Sequence, residues 1–195
     1  MQIVLEPYDT GWPHRFAAFG ADLRHSISDQ SVDGVAVRLV AIHHIGSTSV
    51  PGLSAKDVID IQVTVAHRPL IGDFEPFEPL REAIEVHGYR WSPDNPDRRK
   101  RFFFLDTPEG RRAVNLHVRG EGEFSQQAAL LLRDYLREHE AARTTYEATK
   151  RELAERDWPT VDDYADAKGD TVWSLLRQAD GWAARTGWRT PPTDA

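Results

Sequence analysis

The chain contains no cysteine, which excludes disulfide bridges, thiolate zinc sites and cysteine nucleophiles; any metal ligand has to be a histidine or a carboxylate. It has no continuous apolar run of the ~20 residues that a membrane span needs, and Met1 to Pro7 shows no basic stretch leading into a long apolar one. The expectation is a cytoplasmic protein with no membrane partner. Positive charge is also in short supply, with 24 Lys and Arg against 31 Asp and Glu and a net charge of −7. A wholly basic surface that tracks duplex nucleic acid is therefore not expected, whereas a local basic site is compatible with the balance. No internal repeat and no low-complexity tract is visible. What is present is enough for one packed core: 195 residues, 40% of them hydrophobic, too short for two large independent domains.

Periodicity divides the chain into an α+β front and a helical back. Ile3 to Glu6 reads as a short strand or arm stopped by Pro7. Thr10 is placed to cap a helix with Pro13 in its first turn, and Trp12, Phe16, Phe19, Leu23 and Ile27 recur at spacings of three or four as one apolar stripe. Residues 35–45 and 58–65 are rich in β-branched side chains and predict neighbouring strands. Pro69, Gly72 and Pro76 mark 67–77 as a loop, and a helix from Glu78 to His87 is ended by Gly88. A turn-rich segment at 92–97 precedes a hairpin of residues 101–105 and 113–118, joined by Thr107 to Gly110. Beyond Gly122, helical patterns cover 128–139, 141–156 and 164–182. The organisation expected is a mixed sheet with flanking helices in residues 1–120, helices packed on it in 121–186, and a frayed tail at 187–195, which holds Pro191 and Pro192.

One stretch carries chemistry. His43-His44-Ile45-Gly46-Ser47-Thr48-Ser49-Val50-Pro51-Gly52-Leu53 is followed by Ala55-Lys56 and by the apolar run Val58 to Val63, in which Asp60 is embedded. Gly46 allows a sharp turn that brings backbone N–H groups to an anion, and the hydroxyls of Ser47, Thr48 and Ser49 can donate to it. Lys56 adds a compact positive charge. A carboxylate among Val and Ile is costly to bury unless it is hydrogen-bonded, paired or bound to a metal, so Asp60 is a site candidate on energetic grounds. The bland alternative is an ordinary Gly-Ser loop, with Asp60 at a strand end or capping a turn.

With that strand, turn and strand in place, the sequence resembles the GrpB family, also called UPF0157, a divergent branch of the nucleotidyltransferase superfamily. The matching residues are His44 to Leu53, Ala55-Lys56 and Ile59-Asp60-Ile61, with later blocks at Arg101 to Phe104, Leu116-His117-Val118, Arg133 to Arg137, and Tyr146, Lys150 and Leu153. The resemblance implies a nucleotidyltransferase-like sheet in which Gly46 and Ser47 hold phosphate and Asp60 takes the first acidic position. In that superfamily two divalent cations, held by three acids, neutralise charge developing on the leaving pyrophosphate. This sequence departs from the pattern. Gln62 stands at the second acidic position, and the strand expected to bring the third acid, Val114 to Val118, offers Asn115 and His117. Neutral Gln cannot help hold two Mg²⁺ ions.

An alternative set is His44, Asp60 and His117 as catalytic or metal-binding residues, whose imidazoles suit Zn²⁺, Mn²⁺ or Fe²⁺ better than Mg²⁺. The same three could hydrogen-bond without a metal, or one imidazole could act as a general base. His43, next door, is expected on the opposite strand face in a structural role. In the cluster Arg98-Arg99-Lys100-Arg101, Arg101 is placed to grip phosphate, with Arg98 and Arg99 read as solvated. Arg133, Tyr146 and Lys150 could frame a nucleotide, although Glu147 and Arg151 equally suggest an ion-paired surface. Trp12, Trp158, Trp173 and Trp182 are read as packing residues. The leading expectation is a nucleotidyltransferase-like enzyme that takes a nucleotide or phosphorylated small molecule with a divalent cation (Mg, Mn or Zn). Family members fused to dephospho-coenzyme A kinase make a coenzyme-A-related ligand a reasonable candidate. The alternatives are a catalytically silent binding or folding module and a His/Asp metal-dependent enzyme of another reaction type.

Overall fold

The computed structural model describes residues 1–28, 31–32, 35–36, 38–66, 78–95 and 100–195. The loop expected at 67–77, and Arg98 and Arg99, lie outside the described residues. Helix α1 spans Trp12–Ser28, and the stripe read from its sequence is its buried face: Trp12, Phe16, Leu23 and Ile27 are all buried and Phe19 packs against them. The segment expected as a single strand from 35 to 45 is divided. β1 (Ser31–Val32) and β2 (Val35–Ala36) form a small antiparallel ribbon of their own, and β3 is Leu39–Ile45.

Five strands form the main sheet, in the order β3-β4-β7-β6-β5. β4 is Ile59–Val65, β5 Arg90–Trp91, β6 Arg101–Asp106 and β7 Arg112–Gly120. β4 lies antiparallel to β3 and parallel to β7, and β6 and β7 form the expected hairpin. Alternation along these strands sends Ile59, Ile61, Val63 and Val65 of β4, with Val114, Leu116 and Val118 of β7, to one face. There they pack with α1 and with Leu80 and Ile84 of α2 (Glu78–Glu85) as the main core. Burying such a side chain is worth about 1.5–3 kcal/mol, so this face fixes the register. The other face carries Asp60, Gln62 and Thr64 from β4, matched by Asn115, His117 and Arg119 on β7.

The back half is helical: α3 (Phe124–Glu138), α4 (Glu140–Ala154), α5 (Val161–Ala167) and α6 (Gly169–Thr186). The pattern read as one helix over 164–182 is interrupted at Lys168, between α5 and α6. A second core joins α3, α4 and α6 to Val50 and Leu53. Ion pairs and hydrogen bonds tie the connection between β3 and β4 down from both sides. Asp57 takes Trp12 Nε1 at 2.8 Å and the Arg15 guanidinium, while Ser54 N donates to Glu147 at 3.0 Å and Lys150 Nζ donates to the Ser54 carbonyl.

The tail differs from the fraying expected of it. Thr193 Oγ1 accepts from Ile42 N at 2.9 Å, Asp194 N donates to Ile42 O at 3.0 Å, and the Asp194 carboxylate accepts from His44 N at 3.0 Å and from Arg133 at 2.6 Å. Two successive prolines keep this segment extended alongside β3, where polar partners for Thr193 and Asp194 are in reach.

Candidate functional site

Gly46 follows β3 directly and opens a short 3₁₀ turn, Ser47–Ser49. Its φ of 70° and ψ of −173° fall in a backbone region that is almost exclusively glycine's. The reason lies across the strand pair, because Ile45 is in register with Asp60 and the Asp60 side chain lies directly against the Gly46 Cα. A Cβ on residue 46 would sit 2.8 Å from Asp60 Cγ and 2.9 Å from its Cβ, with a carboxylate oxygen closer still. Turn and acid, read separately from the sequence, form one unit.

Asp60 retains 26% of its side-chain exposure and so reaches solvent. Its Oδ1 accepts from Asn115 Nδ2 at 2.9 Å, and Asn115 in turn accepts from Arg112 at 3.0 Å. His117 Nε2 stands 3.9 Å from the same oxygen, too long for a hydrogen bond. Burial pushes the carboxyl up, but His117, Asn115 and Lys56 together outweigh it and hold Asp60 below the usual carboxylate range. Burial, assisted by Arg119 and Lys100, brings His117 down to about 4 against the pull of Asp60. His117 is thus neutral near pH 7, lies beside the Phe102 ring at 5.2 Å, and its Nδ1 has no hydrogen-bond partner among the described residues.

Several sequence expectations are corrected here. His44 is in register with Ile61, which puts it on the core face, where it stacks on Phe16 at 4.8 Å and pairs with Thr48 Oγ1 at 2.9 Å. Burial brings it down to about 4. His43 is the one that shares the face of Asp60 and His117, and its Nε2 meets the Pro191 and Pro192 carbonyls at 3.3 and 3.0 Å. The set His44, Asp60 and His117 therefore does not converge. Among the described residues no group of three His, Asp or Glu is arranged to hold a metal. Gln62 is taken up by Arg119 and by the Gln126 carbonyl. One carboxylate flanked by amides and lysine does not fit the divalent cations that the resemblance implied.

Arg101 is in register with Val118 on the core face and is buried there, away from Asp60. Arg133 is also buried, and its guanidinium is committed to Asp134, Asp194 and the His44 carbonyl. Within the turn, Thr48 is occupied by His44 and Ser49 Oγ donates to the Gly46 carbonyl, which leaves Ser47. Burial raises the pKa of the Tyr146 hydroxyl to about 12, against the pull of nearby Ser47. Lys150 lies over the Tyr146 ring at 5.2 Å but is committed to Ser54 and, at 3.5 Å, to Glu147; burial lowers its pKa to about 8. Glu147 also pairs with Arg151 at 2.7 Å, so this helix face carries the ion pairs that one of its two sequence readings expects. Lys56 stands in the electrostatic range of Asp60.

Three residues near Asp60 were not singled out by sequence. Arg112 orients Asn115 from the start of β7. Lys168, between α5 and α6, is in electrostatic range of Asp60 and stands over the ring of Tyr164 from within α5; no motif marks either residue. A groove of about 870 Å³ between α3, α6 and the tail is lined by residues such as Phe124, Leu131, Trp173 and Trp188 and shares none with this cluster.

Fold and site together define an α+β protein with one carboxylate on an inner strand beside a glycine-serine turn. The chain belongs to the GrpB protein family, which matches residues 2–178. It is 35% identical to a UPF0157 protein of Streptomyces coelicolor over 92% of this chain and 85% of that one. With a protein of Mycolicibacterium paratuberculosis named dephospho-CoA kinase it shares 34% identity over 78% of this chain, which spans 42% of that longer protein. The crystal structure of a conserved GrpB protein from Enterococcus faecalis superimposes with a TM-score of 0.74 at 25% identity, covering 92% of this chain and 99% of the other. No helix among the described residues is long and apolar enough to cross a membrane.

Proposed function

We propose that the chain is a nucleotidyltransferase-like protein that binds a nucleotide or a related phosphorylated small molecule at the Gly46–Ser49 turn, with Asp60 as its reacting carboxylate and His117 beside it. The observation that carries this reading is the solvent-reaching Asp60 carboxylate pressed against a glycine that no other residue can replace without strain. Lysines 56, 150 and 168 lie in electrostatic range of Asp60 or of one another, so positive charge for a phosphate chain comes from the protein itself. In a transfer step the acceptor hydroxyl would attack the phosphorus nearest the nucleoside. The bond to pyrophosphate would break, and the hydroxyl proton would pass to Asp60 or to water. The relatives named dephospho-CoA kinase make coenzyme A precursors the first phosphorylated ligands to try.

A second reading, a binding module without turnover, is favoured by Gln62, whose amide is spent on Arg119 and the Gln126 carbonyl rather than on chemistry. One experiment separates the two. Thermal unfolding is followed with nucleoside triphosphates and coenzyme A precursors, since a ligand at 100 times its Kd raises stability by about 2.7 kcal/mol. A flat response across the panel overturns both readings. With a binding ligand in hand, Asp60→Asn abolishes product formation if the site transfers, and leaves affinity nearly intact if it only binds.

A further inference from the structure

Close to Asp60 lies a group of side chains whose polar ends have no hydrogen-bond or ion-pair partner among the described residues. Lys56, on the connection between β3 and β4, and Lys168, between α5 and α6, are both half-buried. Their ammonium groups stand on the Tyr164 ring, 5.9 Å and 4.5 Å from its centroid. Neither forms a hydrogen bond or an ion pair among the described residues. Lys150, by contrast, already serves Ser54 and Glu147. Tyr164 is 1% exposed, and its hydroxyl has no hydrogen-bond partner among the described residues. That hydroxyl lies within electrostatic reach of Tyr146, on which Ser47 of the turn and Asp60 also act. The cluster is thus continuous with the turn, running from Ser47 through Tyr146 and Tyr164 to the two lysines.

Two unpaired ammoniums and an unsatisfied phenol in one partly buried place are unfavourable on their own, because buried polar groups are normally hydrogen-bonded and buried charges paired. Burial followed by repulsion from Lys56 lowers Lys168 to about 8, while Asp60 pulls the other way and Lys150 adds to the repulsion. Asp60 and Asp162 are the acids that act on Lys56, against Arg112. An anion here would satisfy all three groups at once. The turn provides few free donors, since Thr48 and Ser49 are occupied within the protein. A ligand with one phosphate at the turn and more phosphates beyond it therefore matches the layout better than a monophosphate.

We infer that Lys168, Lys56 and the Tyr164 hydroxyl form a second anion subsite for a diphosphate group, the distal phosphates of a ligand whose near end lies at the Gly46–Ser49 turn. This deepens the reading of the Asp60 site and rests on it for the near end of the ligand.

The test is isothermal titration of the full chain with inorganic pyrophosphate and with inorganic phosphate, for the wild type, Lys168→Gln and Tyr164→Phe. Pyrophosphate is expected to bind more tightly than phosphate, to weaken at least ten-fold in Lys168→Gln and several-fold in Tyr164→Phe, while phosphate affinity changes little. Tyr164→Phe removes a hydroxyl that bonds to nothing among the described residues, so its unfolding midpoint stays at or above that of the wild type, and a loss of affinity in it is not a folding defect. The inference is overturned if the wild type does not prefer pyrophosphate, or if both variants bind it as the wild type does. A nucleoside monophosphate that still binds in that case leaves the reading of the Asp60 site standing. Lys168-dependent pyrophosphate binding with no response to any nucleotide or coenzyme A precursor removes that reading and keeps the subsite.

Discussion

Replacing Gly46 by alanine tests the junction of turn and acid directly. The backbone at 46 has φ 70° and ψ −173°, a region that costs a residue with a Cβ about 1–3 kcal/mol. The new methyl group would also meet Asp60 Cγ and Cβ at 2.8 and 2.9 Å. These contacts are with the start of a side chain on an inner strand, so relief requires moving β4 or the turn, and overpacking of this kind adds about 1–3 kcal/mol. The total, roughly 2–6 kcal/mol, is a large part of the 5–15 kcal/mol of a typical domain. At about 2–4 °C per kcal/mol for a chain of this size, the melting temperature should fall by roughly 10 °C, measured by circular dichroism. Asp60→Ala removes the carboxyl and keeps the backbone problem. In that background Gly46→Ala keeps the backbone cost of about 1–3 kcal/mol and the 2.9 Å contact with the Cβ of residue 60 but loses the clashes with Cγ and the carboxylate oxygen, so it should cost measurably less than in the wild type. The reasoning fails if Gly46→Ala melts within about 2 °C of wild type, or if its cost is the same with and without the Asp60 carboxyl.

Acidification offers a second check. His44 and His117 titrate at about 4 in the folded chain against 6.5 for a free histidine, so below 6.5 the unfolded state takes up protons first. Stability from these two groups is complete above that pH, falls as pH drops toward 4 and then levels off; a urea midpoint that rises over this window contradicts the assignment. Asp194→Ala deprives the Arg133 guanidinium, 2% exposed, of one of its two carboxylates. Asp134 and the His44 carbonyl remain to it, so a loss of about 1–3 kcal/mol is expected in denaturant unfolding, and a change under about 0.5 kcal/mol would show that the tail contributes little.

Much of the fold is legible in local patterns. The stripe from Trp12 to Ile27, the β-branched run of β4 and the hairpin turn at Thr107 to Gly110 each declare themselves within a dozen residues, and each is where the periodicity placed it. Gly46 and Asp60 are legible for the same reason, as a glycine at a sharp turn and an acid in an apolar run. His44 and Arg101 went astray through parity. Which residues of a strand share a face with Asp60 depends on pairing across strands, and a shift of one residue exchanges the two faces. Ile45 opposite Asp60 puts His43 rather than His44 on that side, and Val118 opposite Arg101 sends the arginine into the core. Arg133 is committed to Asp194, 61 positions later, which no local pattern could announce. Tyr164 and Lys168 carry no motif; that Lys168 comes within range of Asp60, over the Tyr164 ring, is a product of how the last helices fold back.

The bonds that Thr193, Asp194 and Arg133 make to β3 have a consequence for solubility. β3 is an outermost strand, and the outward N–H groups of Ile42 and His44 and their carbonyls are the kind of unpaired ladder that recruits strands from other molecules. Thr193, Asp194 and Arg133 satisfy all four groups. The tail therefore acts as a guard against edge-to-edge aggregation without adding a further strand, and its removal should show first as self-association rather than as loss of the fold.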